Sequence, residues 1–242
     1  MNKKIAVYTV LSGNYDKIHP IKETLNNKID AFIISDQARN LPNGWKLKII
    51  KKENQETNIE FNRKFKIQPN LQFDDYYMTI YIDSNIEIIS NLESLISDFI
   101  NSEYDIALYS HPVRNSIYDE AEEIKRIGYD YCFSIDKQVN RYKSEGFISQ
   151  TLYEANIILR RNTTLMNRTM DLWWYEFSNG IKRDQISLTY ACFKTGLKIL
   201  SLGKHDARFI NNNFYYHVHL KKNASRNLKA RLFNYVIAKL WY

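Results

Sequence analysis

Short apolar runs, each stopped by turn residues and alternating with amphipathic stretches, constrain this chain more than any other feature. "KKIAVYTVL" (3–11) runs into Ser12-Gly13-Asn14, "DAFIISD" (30–36) ends on Asp36, and "YYMTIYID" (76–83) ends on Asp83. Runs of this length, rich in β-branched and aromatic residues, read as strands. "WKLKIIKK" (45–52) alternates as a more exposed strand, while "DIALYSHP" (105–112) and "ANIILRR" (155–161) are further apolar ones. Helical patterns separate them: "NQETNIEFNRKFKIQ" (54–68) stopped by Pro69, "NLESLISDFINS" (91–102) with Asn91 as N-cap, and "SIYDEAEEIKRIG" (116–128). Two more, at 163–180 and 184–196, are closed by Gly180 and Gly196, since glycine is the residue best suited to end a helix. Strands alternating with helices predict one α/β domain, with no linker or repeat to divide it before about residue 220.

Composition narrows the function. A chain of 242 residues with 44% hydrophobic residues buries a sizeable core. No stretch approaches the roughly 20 apolar residues that span a bilayer, and the first apolar run breaks at Ser12-Gly13-Asn14, well short of a signal peptide. A cytoplasmic protein is expected. Cys132 and Cys192 are the only cysteines, which excludes a disulfide framework or a Cys-based zinc site and predicts buried free thiols. The net charge is +7, yet six basic residues and no acidic one fall between Lys221 and the C-terminus. The basicity therefore belongs to residues 221–242. There "LKARLFNYVIAKLWY" (228–242) mixes cations with apolar residues in a helical pattern. It suits either an interfacial helix on anionic lipid or a terminal helix packed on the core. Nucleic acid is not expected as a partner, because a phosphate-tracking surface spreads its cations over more of a domain.

The stretch "MTIYIDSNIEII" (78–89) sets Asp83, Ser84 and Asn85 between two apolar runs. Such a triplet is common in ordinary turns. At a strand end, however, Asp-x-Asn offers a carboxylate and a second oxygen two residues on to one hard divalent cation, Mg²⁺ or Mn²⁺, whose remaining positions suit diphosphate oxygens. Ligands of open α/β sheets bind outside the carboxyl ends of strands, where Asp36 also falls. Three other stretches concentrate polar groups. "YSHPVRNSIYDEA" holds His111 and Arg114, "FNRKFKIQPN" holds Arg63, Lys64 and Lys66, and "IKRDQISLTYA" opens a helix with Arg183, Asp184 and Gln185. Solvated turns, a solvated helix face and a first-turn carboxylate are the plain readings; anion binding, or a base at Asp184, is the functional one.

Taken in order, "AVYTVLSGNYD", "FIISD", "RKFKIQPN", "YIDSNIEI", "HPVRNSIYDEA", "LYEANIILRRNT", "LWWYEF" and "RDQISLTYA" resemble the glycosyltransferase-like family named for the TOD1/MUCI70-like plant proteins. The resemblance covers nearly everything up to residue 220. It implies a GT-A-like, Rossmann-like fold with a mixed, mostly parallel sheet flanked by helices, a nucleotide-sugar donor (a UDP-sugar first), and a divalent metal. On that basis Tyr8, Thr9, Tyr15 and Asp16 would hold the nucleotide with Tyr8 stacked on the base, and Asp36 would bind base or ribose. Arg63, Lys66 and Ser84 would face the diphosphate, and Asp83 and Asn85 would take the metal. His111, Arg114, Glu154, Asp184 and Gln185 would line the sugar and acceptor pocket. Asn85 stands where a second carboxylate is usual. A histidine near the C-terminus often completes the metal shell, and "YYHVHLKK" supplies His217 and His219, whose i, i+2 spacing places both on one face of a strand.

If the reaction inverts, Asp184 is the first choice of base and Glu154 the second. Trp173 and Trp174 diverge by roughly 100° on a helix and fit the core better than a sugar platform. The implied acceptor is a glycan or lipid-linked sugar, such as a bacterial surface polysaccharide made at the inner membrane face. A metal-dependent hydrolase and a non-catalytic sugar or lipid binder are the alternatives.

Overall fold

The computed structural model describes residues 4–14, 16–204, 212–219 and 227–240. The element order is β1 (Ile5–Leu11), β2 (Ile29–Ser35), β3 (Lys46–Ile49), α1 (Asn58–Ile67), α2 (Asn70–Phe73), β4 (Met78–Ile82), β5 (Ile86–Ile88), α3 (Glu93–Asn101) and β6 (Ile106–Ser110). Then come α4 (Ile117–Arg126), α5 (Cys132–Ser144), β7 (Tyr153–Arg161), α6 (Thr164–Asn179), α7 (Asp184–Thr195), β8 (Ile199–Ser201), β9 (Phe214–Tyr216) and α8 (Leu228–Leu240).

A seven-stranded sheet runs β3-β2-β1-β4-β7-β6-β8, and β5 pairs with β9 in a separate ribbon. All neighbours in the large sheet are parallel except β7, which lies antiparallel between β4 and β6. The apolar strands β1 and β4 are buried along their whole length, as expected of a sheet covered on both faces. One core, with Tyr8, Phe61, Phe73 and Trp173, packs one face; a second, with Val7, Ile80, Leu95 and Phe99, packs the other. The mixed α/β architecture is the one the resemblance implied.

Local chemistry sets several boundaries. α1 starts at Asn58 rather than near residue 54, because Thr57 and Glu60 form a reciprocal capping box. α4 starts behind Ser116 with the same device. α7 ends at Gly196 with φ +76°, the left-handed cap glycine tolerates best. Gly180 closes α6 differently: its backbone is extended, and a Cβ there would lie 2.5 Å from the Gln138 side chain. Close approach, not a left-handed cap, requires that glycine. Trp173 is fully buried, and its Nε1 donates to the Asp184 carbonyl at 2.9 Å. Both cysteines are buried and free. Among the described residues no helix is long and apolar enough to cross a membrane.

Candidate functional site

The chain leaves β1 toward β2 on one side, whereas β4 lies on the other, an arrangement that in open sheets leaves a crevice beyond the carboxyl ends of the two strands. That is the topological switch point of an open sheet. Asp83 follows β4 directly, its N–H donating to the Asn156 carbonyl at 2.8 Å. Tyr81, two residues back and therefore on the same face of the strand, donates its hydroxyl to Asp83 Oδ1 at 2.7 Å. Lys66 Nζ, from the last turn of α1, lies 3.5 Å from the same oxygen and 2.7 Å from Asp184 Oδ2. Arg63, one turn earlier, brings its Nε to 3.1 Å from Asp184 Oδ2.

These contacts change two expectations. Lys66 does not face open solvent over the diphosphate position: its side chain is 2% exposed, and it acts as the buried counterion of two carboxylates. Burial alone would raise the Asp184 pKa, but Arg63, Lys66 and Arg183 beside it hold it well below the ordinary carboxylate range. A carboxylate so stabilised in its ionised form is a poor proton acceptor. Asp184 is therefore the anchor of two cations rather than a base.

The reversed direction of β7 builds the neighbouring cluster. Its first residues lie at the same sheet edge as the last residues of β6, with Tyr109 opposite Glu154 across a break in register. His111 continues from β6 and donates its N–H to the Leu152 carbonyl at 2.8 Å. Its Nδ1 accepts the N–H groups of Val113 at 3.1 Å and Arg114 at 2.9 Å, and its Nε2 meets the Arg114 guanidinium at 2.8 Å. That nitrogen lies 3.3 Å from Glu154 Oε1. Gln185 donates to the Tyr153 carbonyl at 3.1 Å and approaches Glu154 Oε2 at 3.4 Å.

Behind this edge Glu120, whose side chain is 1% exposed, joins Arg114 Nε at 2.6 Å to Arg183 Nε at 2.8 Å. Arg63, Arg114 and Arg183 thus share one arrangement. Each is pinned through Nε to a buried carboxylate, and each keeps 26–31% of its side chain exposed. Pinning lowers the entropy that an arginine loses when it meets an anion, and the planar fork suits phosphate and carboxylate oxygens.

At the β1–β2 side, Asp36 accepts from Ser12 Oγ at 3.0 Å and from the Gly13 N–H at 3.1 Å, and Lys52 Nζ lies 3.2 Å away. Burial opposes its ionised form, but the Gly13 N–H, Lys52 and Ser12 outweigh burial and lower its pKa. Gly13 has φ +60°, and a Cβ there would lie 2.9 Å from Asn58 Nδ2, so this turn needs glycine. Tyr8 is fully buried; its hydroxyl donates to the Phe65 carbonyl at 3.0 Å and accepts from Arg160 at 2.6 Å. It is a core tyrosine and cannot stack on a base. Thr9 is buried in the same strand, and Tyr15 lies outside the described residues.

The two C-terminal histidines part company. β9 ends at Tyr216, so the alternation that would put residues 217 and 219 on one face does not extend to them. His219 Nδ1 lies 2.6 Å from Asp16 Oδ2, which also accepts from Ser84 Oγ at 3.2 Å. That hydrogen bond to Asp16 raises the His219 pKa against the opposing effect of burial, and the charges of Asp16 and Asp83 add to it. His219 thus belongs to the Asp83 turn. His217 instead pairs with Glu87 at 2.8 Å, contrary to its expected place beside Asp83. Asn85 is 2% exposed; its Nδ2 donates to the His217 carbonyl at 2.7 Å, and its Oδ1 has no hydrogen-bond partner among the described residues.

Residues 45–214 match the model of the TOD1/MUCI70, glycosyltransferase-like domain. The chain belongs to that family. The probable hexosyltransferase MUCI70 of Arabidopsis thaliana is 29% identical over 135 residues, which cover 51% of this chain and 23% of that protein. Among solved structures, the apo form of the bifunctional glycosyltransferase WbbM shares the fold with a TM-score of 0.51 and 12% identity, over 84% of this chain and 39% of its own. The chain thus spans less than half the length of either protein.

Sequence reasoning overlooked Glu120, Arg183 as a second guanidinium on it, and Tyr81. Glu120 carried a readable signal: with Ile117, Ala121 and Ile124 it occupies the buried stripe of α4, and an acid on an apolar stripe demands a partner. Tyr81 had none, because aromatic residues are ordinary in buried strands.

Proposed function

We propose that this domain transfers a sugar from a nucleotide-diphosphate sugar, a UDP-sugar first, to a glycan or lipid-linked acceptor. The observation that carries the reading is the switch-point crevice in which Asp83 emerges beside a wall of three Nε-pinned arginines. Arg63, held next to Asp83 by Asp184, would stabilise charge on the departing diphosphate without reorganising. Arg114 and Arg183 extend that wall toward Glu154. With Asp184 committed to its cations, Glu154 is the group left to take a proton from an acceptor hydroxyl, oriented by His111 and Gln185.

A Mn²⁺ or Mg²⁺ ion fits the donor set in chemistry. The Tyr81 and Lys66 contacts both fall on Asp83 Oδ1, Asn85 Oδ1 is a buried acceptor without a partner among the described residues, and Asp16 links Ser84 to His219. Such an ion would neutralise diphosphate oxygens.

α8 supports a membrane-linked acceptor. It is held through Ala230 and Asn234, while Leu228, Leu232, Tyr235, Val236 and Leu240 are exposed beside Lys229, Arg231 and Lys239. An exposed apolar face with interspersed cations suits an anionic bilayer surface, which would place the enzyme at the cytoplasmic face in polysaccharide synthesis. Cosedimentation with phosphatidylglycerol vesicles, reduced by Leu232→Glu, is the expected result.

Calorimetric titration of UDP, GDP and nucleotide sugars, with and without Mn²⁺, tests the central reading on the native chain and on Asp83→Ala. One nucleotide should bind in a metal-dependent way and lose that dependence in the variant. Release of free sugar at the same rate with and without acceptor would instead mark a hydrolase, and sugar binding unchanged by Asp83→Ala would mark a non-catalytic binder.

A further inference from the structure

Outside the crevice, three side chains from distant parts of the chain converge: His19 from the loop after β1, Glu87 from β5, and His217 just past β9. Their ligand atoms all lie within 4.8 Å of one another. His217 Nε2 is 2.8 Å from Glu87 Oε2, and the His19 and His217 rings stack with centroids 3.6 Å apart and planes 9° from parallel. Backbone contacts fix all three segments. The His19 carbonyl accepts from Trp45 Nε1 at 2.9 Å, and the Lys22 N–H reaches the Ile88 carbonyl at 3.2 Å. The His217 N–H donates to the Asn85 carbonyl at 2.9 Å, and Asn85 Nδ2 donates back at 2.7 Å.

Packing alone gives a poor account of this group. Glu87 sits between Ile86 and Ile88 in a fully buried strand, and its side chain is 7% exposed. A carboxylate there costs desolvation unless a cation meets it. Lys22 approaches to 3.4 Å, but its own side chain is 58% exposed, and a contact of that kind contributes little. A proton on His217 alone would pair that ring with Glu87 at 2.8 Å and leave His19 stacked on it without a share in the carboxylate, whereas protons on both would set the rings in repulsion. One divalent ion would serve all three side chains at once, since two imidazole nitrogens and one carboxylate oxygen, with a fourth position open, are a zinc ligand set.

We propose that His19, Glu87 and His217 form a transition-metal site of the Zn²⁺ type, separate from the oxygen-rich turn at Asp83. Tetrahedral ligation at about 2.0–2.1 Å sets ligand atoms roughly 3.3 Å apart, so the rings must rotate out of their stack and close inward. His19 and His217 both lie outside regular secondary structure, and the movement required is of their rings, not of the backbone held by Trp45 and Asn85. The ion would staple the 16–22 loop to the β5–β9 ribbon. Because His219 follows His217 by two residues and Asp16 precedes His19 by three, the staple would fix the Asp16–His219 pair beside Ser84.

The test is binding, not activity. Metal-stripped, tag-free protein is titrated with Zn²⁺ by calorimetry and with Co²⁺ by visible absorption. One Zn²⁺ per chain is expected, with tetrahedral Co²⁺ bands and a rise in the unfolding midpoint on adding Zn²⁺. His19→Ala and Glu87→Gln should each weaken binding at least tenfold, and Asp83→Ala should leave it intact. Lys22→Ala, at an exposed position, should tighten binding by removing an ammonium that competes for Glu87, and this arm does not depend on variants that risk the fold. Absence of saturable Zn²⁺ binding overturns the proposal, as does binding lost in Asp83→Ala and kept in Glu87→Gln.

Discussion

The crevice buries charges against one another, whereas the contact that seats α8 on α4 and α5 buries a single neutral amide. In the crevice Lys66 stands between Asp83 and Asp184, and Glu120 between Arg114 and Arg183. Under α8, Asn234 Nδ2 donates to the Lys125 carbonyl at 3.0 Å and the Asp130 carbonyl at 2.9 Å, and its Oδ1 accepts the Cys132 N–H at 2.8 Å. One side chain thereby serves the Asp130 carbonyl and the Cys132 N–H at the start of α5 and adds a bond to the Lys125 carbonyl, which already accepts from the Gly128 N–H. Most of α8 beyond Ala230 and Asn234 is exposed, and a cavity of about 1030 Å³ opens between the three helices. The difference teaches where damage should spread. Removing one charge from the crevice strands a partner where α1, α4 and α7 meet the end of the central sheet, whereas removing the amide frees one peripheral helix.

The largest effect should come from Lys66→Met, which leaves Asp83 and Asp184 short of their shared cation. Breaking a buried pair costs about 3–5 kcal/mol, and urea unfolding followed by far-UV circular dichroism should show it across the whole transition. A cost no greater than that of Asn234→Ala would collapse the comparison.

Acid titration of stability sharpens the same point. The Asp184 pKa is depressed in the folded state, so its contribution is fully present above the ordinary carboxylate pKa and is lost as pH falls through the folded value. Asp184→Asn should flatten that acid limb, and Asn234→Ala should leave its shape unchanged.

Asn234→Ala should cost about 1–3 kcal/mol, the penalty for stranding buried backbone groups, and confine it to α8. Limited proteolysis should then cut within α8 while the sheet survives. Cys132, which lines the α8 cavity, should become reactive to thiol reagents. Cys192, whose thiol burial pushes up to about 12, should remain silent. Gly128→Ala acts on the same seat and should cost more than ~1 kcal/mol, because the added Cβ stands at positive φ and against the Arg231 backbone. Gly128 has φ +69°, and a Cβ there would lie 2.4 Å from Arg231 Cβ. The same proteolysis should report a shifted α8; an unshifted pattern would mean the helix seat is softer than its geometry.

Much of the fold was legible because the signals are local. Apolar runs gave β1, β2, β4, β6 and β7, and Gly196 marked its helix end by its own chemistry. α5 escaped notice: no side chain caps it at Tyr131, and polar Gln138 sits among its buried residues, so its amphipathic pattern is blurred. β8 and β9 have three residues each, too few for a period to show. Of the crevice, the sequence singled out Asp83, Arg63, His111, Arg114 and Gln185 in stretches rich in polar groups, and the family resemblance added Glu154. It could not show which charges neutralise one another, and Asp184 and Lys66 changed character for that reason.

The sequence by itself determined an alternating α/β chain, a polar turn at the end of a central strand, two thiols in apolar surroundings and a basic C-terminal segment, because hydrophobic period, turn residues and composition act over a few residues at a time. Only the tertiary structure decided that Tyr8 is core, that Asp184 is an anchor, that His217 and His219 serve different neighbours, and that Glu120 joins two arginines. Those outcomes depend on which segments meet, at 3 Å, after the chain has crossed the sheet and returned, and on how burial and neighbouring charge then set the state of each group.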